Sequence, residues 1–285
     1  MSKIKLIAVD LDGTLLDKDG KIPEENRCYL KKFSENGGIV VLSSGRMTDS
    51  VSTFADKLGI DCPLIVYNGA VVRLRKKEGR KTIFHREVPV SYSNYVIDYC
   101  LRNKFHLNFY LDDKLFTQRD PLLKKYSSLY SKQTGSKCIF LVNLAEMKGK
   151  KPTKLILITD SKNKDITRTR DYQYNVFKRK FKDKIKLVKT NPEYLEFINR
   201  NVDKGVGLKK IADHYGVKRE EIVSFGDGEN DIEMLLYSGI SVVPSNAKEK
   251  VKKVAKIVSN YSNNQAFIGK FLKEFLPNLS DRIEK

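Results

Sequence analysis

Nowhere in this 285-residue sequence is there an apolar run of the roughly 20 residues that a membrane span requires. The basic start MSKIKLIAVD meets a carboxylate too early to read as a secretory leader, so neither a signal peptide nor a membrane partner is expected. Cysteine is scarce: Cys28, Cys62, Cys100 and Cys138 lie far apart and form no C-x-x-C pair. That excludes a disulfide framework and a thiolate zinc site, and suits a reduced, cytoplasmic protein. His85, His106 and His214 lack metal-ligand spacing, so a histidine metal site and a histidine-based triad have no support. Acidic residues are outnumbered, 35 against 54 Lys and Arg, for a net charge of +19. Such a charge is one mark of nucleic-acid binding. Here the basic residues are scattered through RLRKKEGRK, FKRKFKDKIK and KEKVKKVAK, which reads as solvated surface with a general attraction for small anions. Internal repeats and low-complexity linkers are also absent.

What the chain does have is an alternation of buried strands and amphipathic helices. KIKLIAVD, IVVLSS and CPLIVYNG are continuous apolar runs separated by the helical stretches PEENRCYLKKFSENGG and TDSVSTFADKLG. Strands of that kind predict a parallel sheet covered on both faces. AVVRLRKKEGRKTIFHREV then reads as a hairpin around Glu78-Gly79. Between residues 88 and 193 the strands HLNFYL, KLFTQ, KLILITD and IKLVK are shorter. They are mixed with the helical stretches SYSNYVIDYCLRNK, DPLLKKYSSLYSKQ and NKDITRTRDYQYNVFKRKF. From YLEFIN onward the first texture returns, with the helix DKGVGLKKIADHYGV and the strand EIVSFGDG. The expected architecture is an α/β, Rossmann-like doubly wound core from residues 1–87 and 194–285. An α+β domain of residues 88–193 is inserted into it.

Three core strands end in polar groups: Asp10 and Asp12, then Ser43-Ser44-Gly45-Arg46, then Gly226-Asp227. In an open parallel sheet the carboxyl ends of the strands share one edge, where ligands bind. Asn230 and Asp231 follow in GDGEND. Asp10, Asp12, Asp227 and Asp231 brought to one edge cannot all stay ionised without a cation. The donors are hard oxygens with no His or Cys among them, which favours Mg²⁺. Ser44, the backbone N–H groups about Gly45 and a lysine would supply donors for phosphate oxygens. A calcium loop fails on spacing, since the glycine follows Asp10 at the fourth position rather than the sixth. Taken singly, D-x-D and SSGR read as turns or helix caps, and Lys204 as one of many solvated lysines.

DLDGTLLD, LSSGR, DKGVGLKKIA and GDGENDIEML, in this order, resemble the haloacid dehalogenase superfamily of phosphatases. YNGA and the inserted domain after it resemble the Cof-type subgroup with a type IIB cap. The resemblance covers essentially the whole chain. It implies Asp10 as the nucleophile, forming an aspartyl-phosphate. It implies Asp12 as the acid that protonates the leaving alcohol and then the base that activates water, with its backbone carbonyl on the metal. Ser44, Gly45, Lys204 and Asn230 would bind the phosphoryl group. Asp10, Asp12, Asp227 and Asp231 would form the metal site. Arg46, Asn68 and Gly69 are candidate substrate contacts on the core. Family members that pump ions carry Thr at the Asp12 position, and those that cleave carbon–halogen bonds lack the acid. Ester hydrolysis is therefore expected. Ser44 replaces the usual Thr of the second motif and keeps its hydroxyl.

The function expected is Mg²⁺-dependent hydrolysis of small phosphorylated metabolites, sugar phosphates foremost, with the inserted domain closing over the substrate and selecting it. A phosphosugar mutase of phosphomannomutase type is the alternative. The compact GDGENDIEM speaks against it, because the mutases space those elements more widely. A nucleic-acid binder on the same fold is the remote alternative, supported only by the charge.

Overall fold

The structure is a computed structural model and describes residues 4–119, 137–160 and 162–275. The helix expected over residues 120–133 lies outside the described residues. The chain forms two compact units: residues 1–84 with 203–285, and residues 85–202.

The first unit begins with β1 (Leu6–Asp10), α1 (Glu24–Glu35), β2 (Ile39–Ser43), α2 (Thr48–Leu58) and β3 (Leu64–Val66). The hairpin β4 (Val71–Arg73) and β5 (Thr82–His85) follows, and β5 runs across the boundary. The second unit holds α3 (Val90–Asn103), β6 (His106–Leu111), β7 (Lys114–Gln118), β8 (Cys138–Leu141) and β9 (Lys154–Ile158). It closes with α4 (Arg170–Phe181), β10 (Ile185–Lys189) and β11 (Tyr194–Asn199). The first unit then resumes with α5 (Lys204–Tyr215), β12 (Ile222–Phe225), α6 (Ile232–Tyr237) and β13 (Ile240–Val243). α7 (Glu249–Lys252), β14 (Ile257–Val258) and α8 (Phe267–Phe275) end it.

The eight strands of the first sheet run in the order β14-β13-β12-β1-β2-β3-β4-β5. β1 lies between β2 and β12 and is parallel to both, with Asp10 opposite Ser43 and Val9 opposite Phe225. The chain winds outward from β1 in one direction and from β12 in the other, so the switch point of the topology falls beside Asp10. All five residues of β1 are buried, as its apolar composition demands. Leu6 and Ala8 share one face with Val41 and Ile65 and pack against Leu208, Ile211 and Ala212 of α5 and Met234 of α6. On α1, Asn26 is fully buried and satisfied, because its side-chain carbonyl accepts from the N–H of Gly269 at 2.8 Å.

The sheet of the second unit runs β10-β11-β9-β6-β7-β8. The sequence expectation reopened the core at residue 194. Instead Tyr194–Asn199 pairs antiparallel with both β9 and β10 and belongs to this second sheet. The side chains of Leu195 and Phe197 complete this second core. They join Leu107, Phe109, Leu155 and Leu157 on one face, which packs against α3 and α4. The unit accordingly extends to Val202. The opposite face carries buried polar groups, among them His106 within 2.7 Å of the Thr117 hydroxyl, and Lys154 paired with Glu196 at 3.4 Å. His106 is thus a packed, hydrogen-bonded core residue.

Phe177 of α4 is fully buried at the centre of this core. Its ring stands edge-on to Phe197 at 4.8 Å and to Tyr99 at 4.8 Å. Phe177→Ala should lower the stability of the chain by about 3–5 kcal/mol in urea unfolding, since the surrounding rings cannot collapse into the space. A loss below about 1 kcal/mol would contradict this account of the second core.

Candidate active site

The carboxyl edge of the first sheet gathers the polar strand ends. β1 delivers Asp10, whose side chain is 5% exposed. After β12, Gly226 and Asp227 lead into a short turn, Glu229–Asp231, which sets Asp231 next to them. Asp10, Asp227 and Asp231 each offer an oxygen within 4.8 Å of the others, so these three could hold a metal ion. The fourth expected acid does not join them. The Asp12 carboxylate points to the Arg46 guanidinium, which donates to it at 2.9 and 2.6 Å. The carboxylate is thus engaged by Arg46, and the contact with a metal expected of Asp12 is the one through its backbone carbonyl instead. A neighbouring guanidinium offers it two aligned donors, whereas the acid cluster offers only repulsion.

Lys204 enters the cluster instead. Asp203 caps α5, its carboxylate accepting from the N–H of Val206 at 2.7 Å, and this fixes Lys204 as the first helical residue. The Lys204 ammonium is fully buried and donates to Asp10 at 2.5 Å and to Asp231 at 2.6 Å. Asp231 has both oxygens engaged, because its second oxygen accepts from the N–H groups of Asp227 and Gly228 at 3.1 and 2.9 Å. Asp227 accepts from the Thr14 hydroxyl at 2.9 Å. Gly13 lies directly against Asp227. A Cβ there would stand 2.5 Å from the carboxylate, and φ is +83°, so only glycine serves. Sequence reasoning gave Gly13 and Thr14 no role, although the GT after D-x-D was the available signal.

With every acid ionised, the three carboxylates and one ammonium would carry a formal charge of −2 away from water. The titration behaviour reflects this. Burial, followed by Asp231, raises the Asp10 carboxyl well above the ordinary range, with Lys204 opposing. Burial and then Asp231 raise Asp227 to about 6. Burial draws the Lys204 ammonium down, but Asp10 and Asp231 outweigh it and hold its affinity for the proton above normal. The donor set is all oxygen and its unbalanced charge matches a divalent cation, so the residues fit a hard metal ion.

The second and third strand ends form the other wall. Ser44 is buried, and its hydroxyl accepts from the N–H of Arg46 at 3.2 Å. Its carbonyl accepts from the N–H of Asn68 at 3.0 Å. Tyr67, Asn68 and Gly69 all have positive φ, at 53°, 55° and 92°, an unusual run that bends the chain sharply after β3. Asn68 packs its amide against Gly45 and accepts from the Asn230 side chain at 3.1 Å. The Asn68 amide nitrogen is buried without a hydrogen-bond partner. Ser44, Gly45, Asn68 and Asn230 are therefore brought together, and Gly69 lies against the start of α5, next to Lys204. Arg46 is turned onto Asp12.

The haloacid dehalogenase-like hydrolase family matches residues 7–272 of the chain. The 5-amino-6-(5-phospho-D-ribitylamino)uracil phosphatase YitU of Bacillus subtilis is 30% identical over 278 residues, covering 96% of this chain and 98% of its own. A solved protein of Thermotoga maritima is 33% identical and superimposes with a TM-score of 0.83, over 95% of this chain and 97% of that one. The HAD subclass IIB sugar phosphatase BT4131 shares the fold with a TM-score of 0.79 at 23% identity, over 95% and 98% of the two chains.

The raised Asp227 carboxyl gives a signed prediction. Stability from its bound proton is present below the unfolded pKa of 3.8 and is lost as pH rises through about 6. In chelator, the wild-type protein should therefore lose thermal stability relative to Asp227→Asn between these pH values. At about 1.4 kcal/mol per pKa unit the difference is at most roughly 3 kcal/mol, less what residual solvent screens. Equal pH slopes for the two proteins would refute the shift.

Proposed function

The chain belongs to the haloacid dehalogenase-like hydrolases and is a phosphatase, and on that premise we propose that it hydrolyses small phosphorylated metabolites through an aspartyl-phosphate on Asp10. The observation that carries this reading is the buried ammonium of Lys204 between Asp10 and Asp231, with Asp227 adjacent. An acid cluster left at −2 calls for a divalent cation, and a phosphate dianion next to it calls for cationic donors. The site has the means for both.

Mg²⁺ is the metal we assign, with Asp10 and Asp227 as its carboxylate ligands and Asp231 held chiefly by Lys204 and the loop N–H groups. Its contribution when bound is charge neutralisation at the phosphoryl oxygens. The chain's own residues do the rest. Lys204 orients the Asp10 carboxylate and neutralises charge between it and the phosphate. The Ser44 hydroxyl, the N–H groups about Gly45, and the side chains of Asn230 and Asn68 supply donors to phosphoryl oxygens. For Asn68 the support is a buried amide nitrogen that no protein group satisfies. An oxygen of Asp10 forms a bond to phosphorus as the ester oxygen departs and takes a proton from Asp12. Water then attacks phosphorus, gives its proton to Asp12 and releases Asp10.

The substrate we favour carries its phosphate at the end of a polyhydroxylated chain. Its support is the 5-phospho-ribityl group in the substrate for which the Bacillus subtilis relative is named. We assign selection among such substrates to the inserted domain, and the cytoplasm as the site of action. Among the described residues no helix is long and apolar enough to cross a membrane.

Purified protein should release inorganic phosphate from sugar and polyol phosphates with Mg²⁺ and lose this activity in EDTA. Asp10→Asn should retain the fold by circular dichroism and lower turnover by at least about 10⁴-fold. Turnover preserved in that variant would remove Asp10 as nucleophile. Phosphate moved within a hexose phosphate, with little set free, would identify a mutase.

A further inference from the structure

Of the two acids at and just after the end of β1, Asp10 lies in the buried cluster and Asp12 stands outside it. Its side chain is 56% exposed, and a carboxylate so placed at a sheet edge would sample several rotamers. Among the described residues one side chain holds it, that of Arg46. The Arg46 Nε donates to one Asp12 oxygen at 2.9 Å, and a terminal guanidinium nitrogen donates to the other at 2.6 Å. This two-pronged contact fixes the plane of the carboxylate as well as its position. The guanidinium is itself held from α2. It lies over the Phe54 ring at 5.2 Å and donates to the Ser50 hydroxyl at 3.4 Å. Its backbone is tied on both sides, the N–H to the Ser44 hydroxyl and the carbonyl to the N–H of Tyr67 at 3.0 Å. The chain Phe54–Arg46–Asp12 therefore links a rigid helix to an otherwise loose acid. A role in direct substrate binding would need that fork turned away from Asp12.

We propose that Arg46 is a positioning residue that acts through Asp12, holding its carboxylate where it exchanges protons with the leaving oxygen and with water. The proposal rests on the assignment of Asp12 as the proton-transfer group. Arg46 transfers no proton itself. In the first step the ester O–P bond breaks and its oxygen takes the Asp12 proton. In the second, a water proton goes to Asp12 as the water oxygen bonds phosphorus. In the interval Asp12 is a carboxylate, the form that a guanidinium fork fits.

The test uses aryl phosphates of similar shape, which differ in how much their leaving group needs a proton. Phenyl phosphate needs one, and 2,4-dinitrophenyl phosphate does not. Arg46→Ala should lower kcat/KM for phenyl phosphate about tenfold or more, part of the 10²–10⁴ that a placed acid supplies, and change the dinitrophenyl ester less than about threefold. Arg46→Lys, which keeps the charge and loses the fork, should fall between. In an Asp12→Ala background, Arg46→Ala should have no further effect on the dinitrophenyl ester. Equal losses for both esters, or an added loss in the Asp12→Ala background, would overturn the proposal and return Arg46 to direct contact with substrate. Failure of the phosphatase assignment shows up separately, as wild-type protein inactive on both esters. Melting temperatures of the variants within a few degrees of wild type exclude misfolding as the cause.

Discussion

A fully buried lysine ammonium with a carboxylate on either side is the constraint around which the core is arranged. Loss of Lys204 would leave the Asp10 and Asp231 carboxylates buried without their cation, and loss of either acid would leave the ammonium with a single carboxylate partner. Asp10 is set by a strand buried along its whole length. Asp231 is held by the N–H groups of the loop after β12. Lys204 is fixed at the start of α5 by the Asp203 cap. Three separate pieces of chain thereby agree to within a hydrogen-bond length. The geometry a phosphoryl group would meet is built into the fold, independent of any ligand.

The same constraint reaches the far wall. A Cβ on Gly69 would lie 2.0 Å from the Asp203 carbonyl oxygen, and φ there is +92°. The YNGA bend after β3 is thus packed against the cap that sets Lys204. Asn68, one residue earlier, faces Gly45 on one side and receives the Asn230 amide on the other. Strain in three successive residues with positive φ is tolerated because this packing over-determines it. The Gly45–Asn68–Asn230 wall and the buried cation form one mechanical unit.

Much of this was legible in the sequence. Continuous apolar strands ending in DLD, SSGR and GDG located the ligand edge, because in a doubly wound sheet those ends must share a side. Lys204 became legible only through the order of the family motifs. On its own, a lysine among 54 basic residues carries no signal. One feature was misread and one was missed, each for a physical reason. YLEFIN is apolar at four of six positions and buried on both faces, so it reads like a core strand of the first sheet, whereas it pairs antiparallel in the second. Asp12 was expected to reach the metal through its backbone carbonyl, and its carboxylate was assigned no protein partner. Its partner is Arg46, 34 positions away, and no spacing rule reports a contact set by the curl of the chain after β2. The helix expected over residues 120–133 lies outside the described residues.

The position of β1 in the middle of the sheet has a consequence for how the chain comes into being. One long edge of β1 pairs with β2 within forty-odd residues, but the other waits for β12, whose partner residues Ile222 to Phe225 are among the last quarter to be synthesised. As the chain leaves the ribosome, the second unit has all its strands and can condense first. The half-built first sheet meanwhile presents an unpaired, wholly apolar strand edge. Asp10 and Asp12 stand at the end of that edge. Until β12 arrives with Asp227 and Asp231, and α5 with Lys204, Asp10 and Asp12 are charged groups in water that discourage the exposed strand from pairing with another chain.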